Sequence, residues 1–289
     1  FGALGRPSGQ WLAAAALIET YYADEVALDP LDAWVQRLQA LLPNAADGWP
    51  APEVEAQVMA CGLAITLRDQ THPLLARWAA RGAQLLRQLR PGAARMRLAT
   101  FLLQYHRWRG ELGQAALIVD AVPGLDSAQL PPAEALVWHE SVATFARAGG
   151  RLALGRAEVQ AALALQRRHA LPGRAYALHA HGAAIEIAAA DADAAAAHLQ
   201  AMQPLLAAQP LDDQTHYWHL GAGVALLRGD AGQAVALART ALANALEIGG
   251  AYRTAAYRLG LAQALLQQGD AAAALPELDA ALAAASEQQ

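Results

Sequence analysis

The chain has 289 residues and a formal net charge of −5, and it contains one cysteine and no lysine, so all 21 basic residues are arginine. A single cysteine excludes an internal disulfide, and the cytoplasm is the expected compartment. The lack of lysine excludes a Walker A lysine, a pyridoxal Schiff base and a lysine nucleophile within this chain.

The composition indicates an all-α protein. Alanine, leucine and arginine dominate, and these residues cost least in a helix. The longest apolar runs, such as residues 11–18, are far shorter than the ~20 residues that span a bilayer, so no membrane segment is predicted. Because the first residue is Phe1 and no signal segment follows, we expect a soluble fragment of a larger protein.

Short polar or glycine breaks recur along the chain at intervals of 40, 40, 39 and 40 residues. They lie at Gly110-Glu111, Gly150-Arg151, Ala190-Asp191, Gly229-Asp230 and Gly269-Asp270. A fixed period of this size is typical of repeat proteins, in which each unit buries its apolar face against its neighbours. We therefore predict a solenoid in a single domain, 1–289, with divergent hairpins over 1–92 and regular repeats over 93–289.

Helical periodicity between the breaks predicts seven helix pairs. In chain order they span 10–27 with 30–42, 53–68 with 72–89, 93–109 with 112–121, 132–148 with 152–169, 174–189 with 194–207, 213–228 with 231–248, and 251–268 with 271–285. Longer loops are expected at 43–52 and 122–131, which contain proline and glycine.

Several residues at the breaks are suited to cap helices. Asp230 with Gln233 has capping-box spacing, and Asp29-Pro30 and Thr71-His72-Pro73 place a polar side chain before a helical proline. Arg109 and Arg228 fall at the ends of first helices, where a cation complements the helix dipole. The acidic pairs Asp191/Asp193 and Asp212/Asp213 are also interpreted as caps rather than as acid–base pairs.

The last two units carry the alternation of large and small residues that is typical of tetratricopeptide hairpins. The small residues let helices approach closely, and the large ones fill the gaps between layers. The matching residues are Trp218, Ala222, Gly229-Asp230, Ala234, Ala238 and Ala241 in the sixth unit, and Leu261, Ala262, Gly269-Asp270, Ala274, Leu278 and Ala281 in the seventh.

The chain resembles the helical repeat domains of large bacterial signal-transducing ATPase regulators, the MalT-like group of LuxR-type transcriptional regulators. The residues that carry the resemblance are Asp29–Trp34, Pro52–Ala56, Thr71–Leu74, Arg77–Ala79, Tyr105–Gly110 and Leu227–Asp230. The resemblance implies a sensor or protein-interaction segment, with neighbouring ATPase and DNA-binding domains of the same polypeptide outside this sequence. It assigns no effector-contact residue.

Arginine is concentrated in residues 68–109, which hold nine arginines and a single acid, Asp69, so this segment is +8 and the rest of the chain −13. One interpretation is an anion-binding surface or a dock for an acidic domain. The other is a solvated basic face. Direct binding of nucleic acid is not expected, because the total charge is negative and the interleaving of aromatic with basic residues is weak.

Tetratricopeptide solenoids bind ligands on the face made by the first helix of each pair, and the repeat phase places eleven polar residues of this chain there. Arg107 and Arg147 are 40 residues apart, so we expect them to stack and to be able to bind a carboxylate or phosphate together. The alternative is that these side chains only solvate an open groove. The predicted groove residues are Arg97, Thr100, Gln104, Arg107, Glu140, Thr144, Arg147, His216, His219, Gln263 and Gln267.

Other candidate sites are better explained by packing. His216-x-x-His219 has metal-like spacing but no third ligand, and His179 and His181 lie on different helix faces, where they pack or cap. The His139-Glu140-Ser141 run is no triad, because adjacent helical residues point apart. Gly221-x-Gly223 is expected to mark close helix packing, and Cys61 to be a buried apolar residue.

These observations predict an all-α superhelix of about seven tetratricopeptide-like hairpins with a concave groove. The predicted function is a non-enzymatic sensor of a bacterial transcriptional regulator, which binds a protein partner or a small effector in the groove and needs no cofactor or metal. A ligand that prefers one curvature would shift the population of conformers. The alternatives are a constitutive scaffold for a peptide or protein and, on weaker grounds, an α-helical enzyme.

Overall fold

The structure is a computed structural model that describes residues 7–24, 30–42, 48–122, 130–171, 174–249 and 251–286. These residues form helices and connecting turns without a strand, which confirms the predicted all-α class. The helices are α1 (Pro7–Asp24), α2 (Leu31–Leu41), α3 (Pro52–Ala60), α4 (Gly62–Arg68), α5 (Pro73–Gln88), α6 (Ala93–Trp108), α7 (Leu112–Asp120), α8 (Pro132–Ala148), α9 (Leu152–His169), α10 (Arg174–Ala188), α11 (Ala192–Met202), a 3-10 helix (Gln203–Ala208), α12 (Leu211–Leu227), α13 (Ala231–Ile248), α14 (Ala251–Gln268) and α15 (Ala271–Ser286).

The helices group into two compact units, residues 1–149 and 150–289. In the first unit, α1 packs on α2, α3 and α4, and α6 packs on α3, α5, α7 and α8. In the second, α10 packs on α9 and α11, and α12 to α15 pack in sequence. The predicted hairpins α1–α2, α6–α7, α10–α11, α12–α13 and α14–α15 are therefore present, and α5 packs on α3 and α4. The predicted pairing of α8 with α9, which belong to different units, stays a prediction. Among the described residues, no helix combines the length and the apolar character needed to cross a membrane.

The helix predicted over 53–68 is interrupted at Cys61. The Cys61 N–H bonds to the carbonyl of Val58, three residues back, so the chain tightens for one turn between α3 and α4. The Phe101 ring of α6 crosses at this point, and a methyl group added at Gly62 would lie 2.6 Å from the ring. Cys61 itself is fully buried, as predicted.

The breaks between hairpins are built as the sequence indicates, with one correction. Asp230 Oδ1 accepts from the Gln233 N–H at 2.9 Å and caps α13. The Asp230 N–H donates to the Ala225 carbonyl, so it is already bonded without the Gln233 side chain that a full capping box would use. Gly229 takes a φ of 76°, which glycine adopts without the cost that a Cβ adds.

Other predicted helix ends differ from the structure by a few residues. His72 caps α5 through its Nδ1 atom, whereas the residue before α12 is Pro210, so Asp212 and Asp213 lie inside the first helical turn rather than at the cap. The helix predicted over 194–207 ends as α11 at Met202 and continues as a 3-10 turn, because Pro204 lacks the N–H that an α-helix needs.

Parts of some sequence predictions lie outside the described residues. They concern Asp29, residues 25–27 of the first predicted helix, and most of the two predicted loops. The structure places Pro30 directly before α2, which begins at Leu31. The division into divergent repeats over 1–92 and regular repeats over 93–289 rests on the spacing of breaks in the sequence, and it stays a prediction.

Candidate functional site

The predicted groove residues are distributed over both units. Seven of them lie on α6 and α8 in the first unit, and four lie on α12 and α14 in the second. On α6, the spacing of Arg97, Thr100, Gln104 and Arg107 places all four on one side of the helix. We call the facing set of Arg97, Gln104 and Arg107 on α6 with Glu134, Ser141 and Thr144 on α8 the α6–α8 polar stripe.

One end of the polar stripe is an arginine held between two carboxylates. The Arg97 guanidinium donates to Glu19 of α1 and lies 3.7 Å from Glu134 Oε1 of α8. All three side chains are about three-quarters buried. Burial raises the pKa of Glu19 and the pKa of Glu134, and the charge of Arg97 opposes both shifts.

Glu134 leaves part of its bonding capacity unused. Its Oε2 atom is buried and accepts no hydrogen bond from the described part of the chain. A buried carboxylate oxygen without a donor costs free energy. Glu134 Oε2 is therefore an acceptor of the stripe that the described residues leave unused.

The middle of the stripe is a chain of side-chain hydrogen bonds. Gln104 Nε2 donates to Ser141 Oγ at 2.9 Å, and Arg107 Nε donates to Gln104 Oε1 at 2.7 Å. The Arg107 guanidinium also lies over the Trp108 ring, 4.7 Å from its centroid. Arg107 is thus fixed by an amide on one side and an aromatic face on the other.

Three predicted groove residues are more than nine-tenths buried, namely Thr100, Gln104 and Glu140. Thr100 donates to the carbonyl of Met96 and Thr144 to that of Ser141, so both hydroxyls bond to their own helix. Such bonds are usual for threonine inside a helix. Of the seven residues in this unit, Arg97, Arg107, Thr144 and Arg147 keep exposed surface.

The contacts between α6 and α8 join residues that are 37 apart in sequence. This offset holds for Gln104 with Ser141 and for Arg97 with Glu134. Continued along the helices, the offset places Arg107 level with Thr144 and Arg147 about one turn further on. The stacking of Arg107 with Arg147, which was predicted from a 40-residue offset, stays a prediction that this register does not favour.

Four of the nine arginines in the arginine-rich segment are paired with acids from outside it. Two of these pairs are bidentate: Arg68 to Asp32 and Arg81 to Glu55. Arg97 and Arg109 are also paired with carboxylates. The exposed cations without such a partner in the described residues are Arg77, Arg87 and Arg90. The +8 count therefore overstates the free positive charge of this surface.

In the second unit, His219 is a packing residue. Its ring meets the Tyr257 ring of α14 edge-on at 5.1 Å, and a methyl group added at Gly260 would lie 3.0 Å from it. Gln267 Nε2 donates to the Leu226 carbonyl at 3.0 Å, and Gln263 is exposed. Within the described ranges, no group of three or more His, Cys, Asp or Glu side chains is arranged to hold a metal ion.

Sequence reasoning missed a histidine pair in this unit. His179 was predicted to pack or cap, and its partner is His198 of α11, with the two Nδ1 atoms 2.9 Å apart. The only local signal is Gly182 within α10, because a side chain there would collide with the His198 ring. Gly223 shows the close packing that was predicted, since an added methyl group would lie 3.0 Å from Ile187.

The second unit also has a groove of about 320 Å³ between α11, α12 and α13. Tyr217 and Trp218 form its aromatic wall, and Gln200, Gln203 and Gln233 line it with amides. Trp218, which was predicted to fill a gap between helix layers, packs on the core cluster of α12 to α15 and is partly buried there.

Comparison with known proteins shows the fold but not a family. No family model matches the sequence, and no curated protein matches it. The chain is similar to the Rap protein in the crystal structure of that protein complexed with competence and sporulation factor, with a TM-score of 0.70 and 14% identity over 97% of this chain and 76% of the other. It is also similar to BtubC (BKLC) from P. vanneervenii, with a TM-score of 0.51 and 14% identity over 80% of this chain and 92% of the other. The fold prediction of an all-α, tetratricopeptide-like helical repeat is confirmed.

Proposed function

We propose that this chain is a non-enzymatic interaction domain that binds an extended segment of a protein partner along the α6–α8 polar stripe. The observation that carries the proposal is the likeness over 97% of the chain to the Rap protein, whose crystal structure holds competence and sporulation factor. Helical repeat folds supply extended surfaces that suit such partners.

The chemistry of the stripe fits a peptide backbone. The Arg107 guanidinium keeps exposed surface and offers N–H donors, and the half-buried Thr144 hydroxyl, which donates to its own helix, can still accept a hydrogen bond. An extended chain presents N–H and C=O groups in alternation, so it needs both donors and acceptors from its receptor. From Arg97 to Arg107 the helix rises about 15 Å, which corresponds to roughly four or five extended residues.

The finer proposal is that this domain is the sensor of a bacterial transcriptional regulator. It is supported by the resemblance of the N-terminal motifs to MalT-like proteins. A partner or small effector that binds one conformer better than another would shift their populations. A constitutive scaffold would bind without this response, so the conformational change separates the two.

The binding proposal is tested with peptides selected by phage display on the whole chain and measured by isothermal titration calorimetry. We expect Arg107→Ala to weaken a selected peptide at least tenfold, since a charge-assisted hydrogen bond contributes ~1.5–3 kcal/mol. Arg87→Ala is the matched control, because Arg87 is exposed on α5 without a partner in the described chain. Equal affinity for the wild type and a folded Arg107→Ala variant would place the site elsewhere.

The sensor proposal needs a second readout on the same complex. Hydrogen exchange of the free and peptide-bound chain should show changed protection in helices that do not touch the peptide. Protection confined to α6 and α8 would favour the constitutive scaffold.

A further inference from the structure

The last two hairpins of the second unit repeat with an offset of 40 residues. Helices α12 and α14 begin at Leu211 and Ala251, and α13 and α15 begin at Ala231 and Ala271. Asp230 and Asp270 accept hydrogen bonds from the backbone at the same point of each hairpin. Each residue of α12–α13 therefore has a structural counterpart 40 positions later in α14–α15.

Counterpart side chains of the two second helices differ sharply in exposure. Val235 and Leu242 on α13 are 4% and 7% exposed, and both belong to the core cluster that includes α14. Their counterparts on α15, Leu275 and Leu282, are 60% and 69% exposed. The positions thus remain apolar in the second copy while their burial is lost.

The first helices show the same contrast. His219 of α12 packs on Tyr257 and Gly260 of α14, whereas its counterpart Leu259 is 55% exposed. Leu226 packs on the core cluster, whereas its counterpart Leu266 is 51% exposed. Among the residues that the structure describes, no helix covers Leu259, Leu266 or Leu275 as α14 covers their counterparts.

These four leucines form what we call the α14–α15 leucine face. Leucines separated by seven residues on each helix lie on one side of it, so the four side chains make two parallel apolar rows. Four large apolar side chains exposed on two neighbouring helices favour an interaction site. In the preceding hairpin, α12–α13, the equivalent surface is covered by an α-helix, α14.

Helix α14 shows the pattern of side chains that a covering helix needs. It buries Tyr257, Leu261 and Leu265 at i, i+4 and i+8, with the small residues Gly260 and Ala264 beside them. The small residues let the helices approach closely, and the large ones fill the space between them. An occupant of the leucine face needs the same alternation.

The charge of the leucine face restricts the kind of helix that it would bind. Asp279 lies four residues after Leu275, on the same side of α15, and it is exposed without a bonded partner in the described chain. In a two-fold pair of α15 helices, this carboxylate would approach its own copy, which is repulsive. A helix with arginine or lysine beside its apolar row would meet Asp279 favourably.

We propose that the α14–α15 leucine face is a docking surface for a basic amphipathic α-helix of a protein partner, stacked on α14–α15 as α14 stacks on α12–α13. This surface is separate from the α6–α8 polar stripe, so it does not depend on the function proposed above.

The probe is a synthetic, end-capped and labelled peptide with the sequence of α14, Ala251–Gln268, which contains the apolar row and two arginines. Its binding to the whole chain is measured by fluorescence anisotropy. We expect saturable binding that a scrambled peptide of the same composition does not show. We also expect Leu275→Asp to weaken binding at least tenfold and Asp279→Lys to weaken it severalfold.

The matched control is Leu246→Asp on α13, which changes a leucine that is 54% exposed and whose counterpart is Ser286. It should bind the peptide like the wild type, and circular dichroism should show every variant to be folded. No binding of the α14 peptide, or equal binding by Leu275→Asp, overturns the proposal. A dimer in sedimentation velocity that Leu275→Asp abolishes would identify a second copy as the occupant and would also overturn it.

Discussion

His179 Nδ1 of α10 and His198 Nδ1 of α11 lie 2.9 Å apart, so the two imidazoles share a single hydrogen bond. One ring must donate and the other must accept, and the pair cannot form if both rings are protonated. Burial lowers the pKa of both histidines. The charges of His198 and Arg167 lower the pKa of His179 further, whereas the Glu186 carboxylate opposes the lowering of the His198 pKa.

The histidine pair makes the stability of the second unit depend on pH. Because both folded-state pKa values lie below the ordinary value of about 6.5, the unfolded chain takes up protons first as the pH falls. The stabilisation is therefore complete above about pH 6.5 and is lost below it. The urea midpoint of the wild type should drop between pH 7.5 and 5.5.

The source of this pH dependence is tested with two histidine variants. His179→Gln/His198→Gln should show a smaller drop in the urea midpoint than the wild type, because two groups with lowered pKa are gone. His169→Gln, at the exposed end of α9, should show the same drop as the wild type. An unchanged drop in the double variant would assign the pH dependence to other groups.

The His179–His198 pair requires a residue without a side chain at position 182. A methyl group added at Gly182 would lie 2.4 Å from His198 Cε1, so the His198 ring must shift from the position in which it bonds to His179. We expect Gly182→Ala to lower the free energy of unfolding by about 1–3 kcal/mol. Gly113→Ala on α7 has nothing within 4 Å of the added methyl group and should gain up to about 1 kcal/mol from helix propensity. Urea denaturation measures both, and a neutral Gly182→Ala would contradict the packing described.

Cys61 is expected to be unreactive in the folded chain. Its side chain is fully buried between α3 and α4, and burial, followed by the nearby Glu19 carboxylate, raises the pKa of its thiol well above the usual value. Since the thiolate is the reactive form, a thiol reagent such as DTNB should react slowly under native conditions and at once in guanidinium chloride. Fast labelling of the native protein would mean that the helices around Cys61 open readily.

The sequence predicts the helices well because the signals that end them are local. Asp230 and Gly229, for example, are contiguous, and their cap and left-handed backbone follow from their own chemistry. The close approach of the Phe101 ring to Gly62, next to the break at Cys61, was not predictable, since the two residues are about 40 positions apart in the chain. Local patterns do not contain such tertiary contacts.

The candidate site was harder to predict for the same reason. The phase of the repeat places Arg97, Gln104 and Arg107 on one side of α6, and that arrangement is present. Their partners depend on the register between α6 and α8, which is 37 residues in the observed contacts rather than the 40 of the sequence period. The acids that neutralise the arginine-rich segment likewise come from other helices, so a count of charges along the chain overestimates its basic surface.

Two arginine–carboxylate pairs of the first unit offer a comparison of burial at similar geometry. Arg81 binds Glu55 and Arg68 binds Asp32, and both pairs are bidentate. Glu55 is only 3% exposed, whereas Asp32 is 53% exposed. Removing the partner of a charge that stays in water costs little stability. Removing the partner of a buried charge costs much more, because the charge is left without compensation in a poorly solvated site.

We therefore expect Arg81→Ala to destabilise the chain by about 3 kcal/mol, because it leaves the buried Glu55 carboxylate without a counter-charge. Arg68→Ala should have little effect, since water replaces the arginine around Asp32. Arg81→Lys should fall between Arg81→Ala and the wild type, because it keeps the charge and loses the two-point contact. Urea denaturation at pH 7 gives all three values. If Arg81→Ala and Arg68→Ala cost the same, then burial does not set the strength of these pairs, and the Glu55–Arg81 contact is not a stabilising link between α3 and α5.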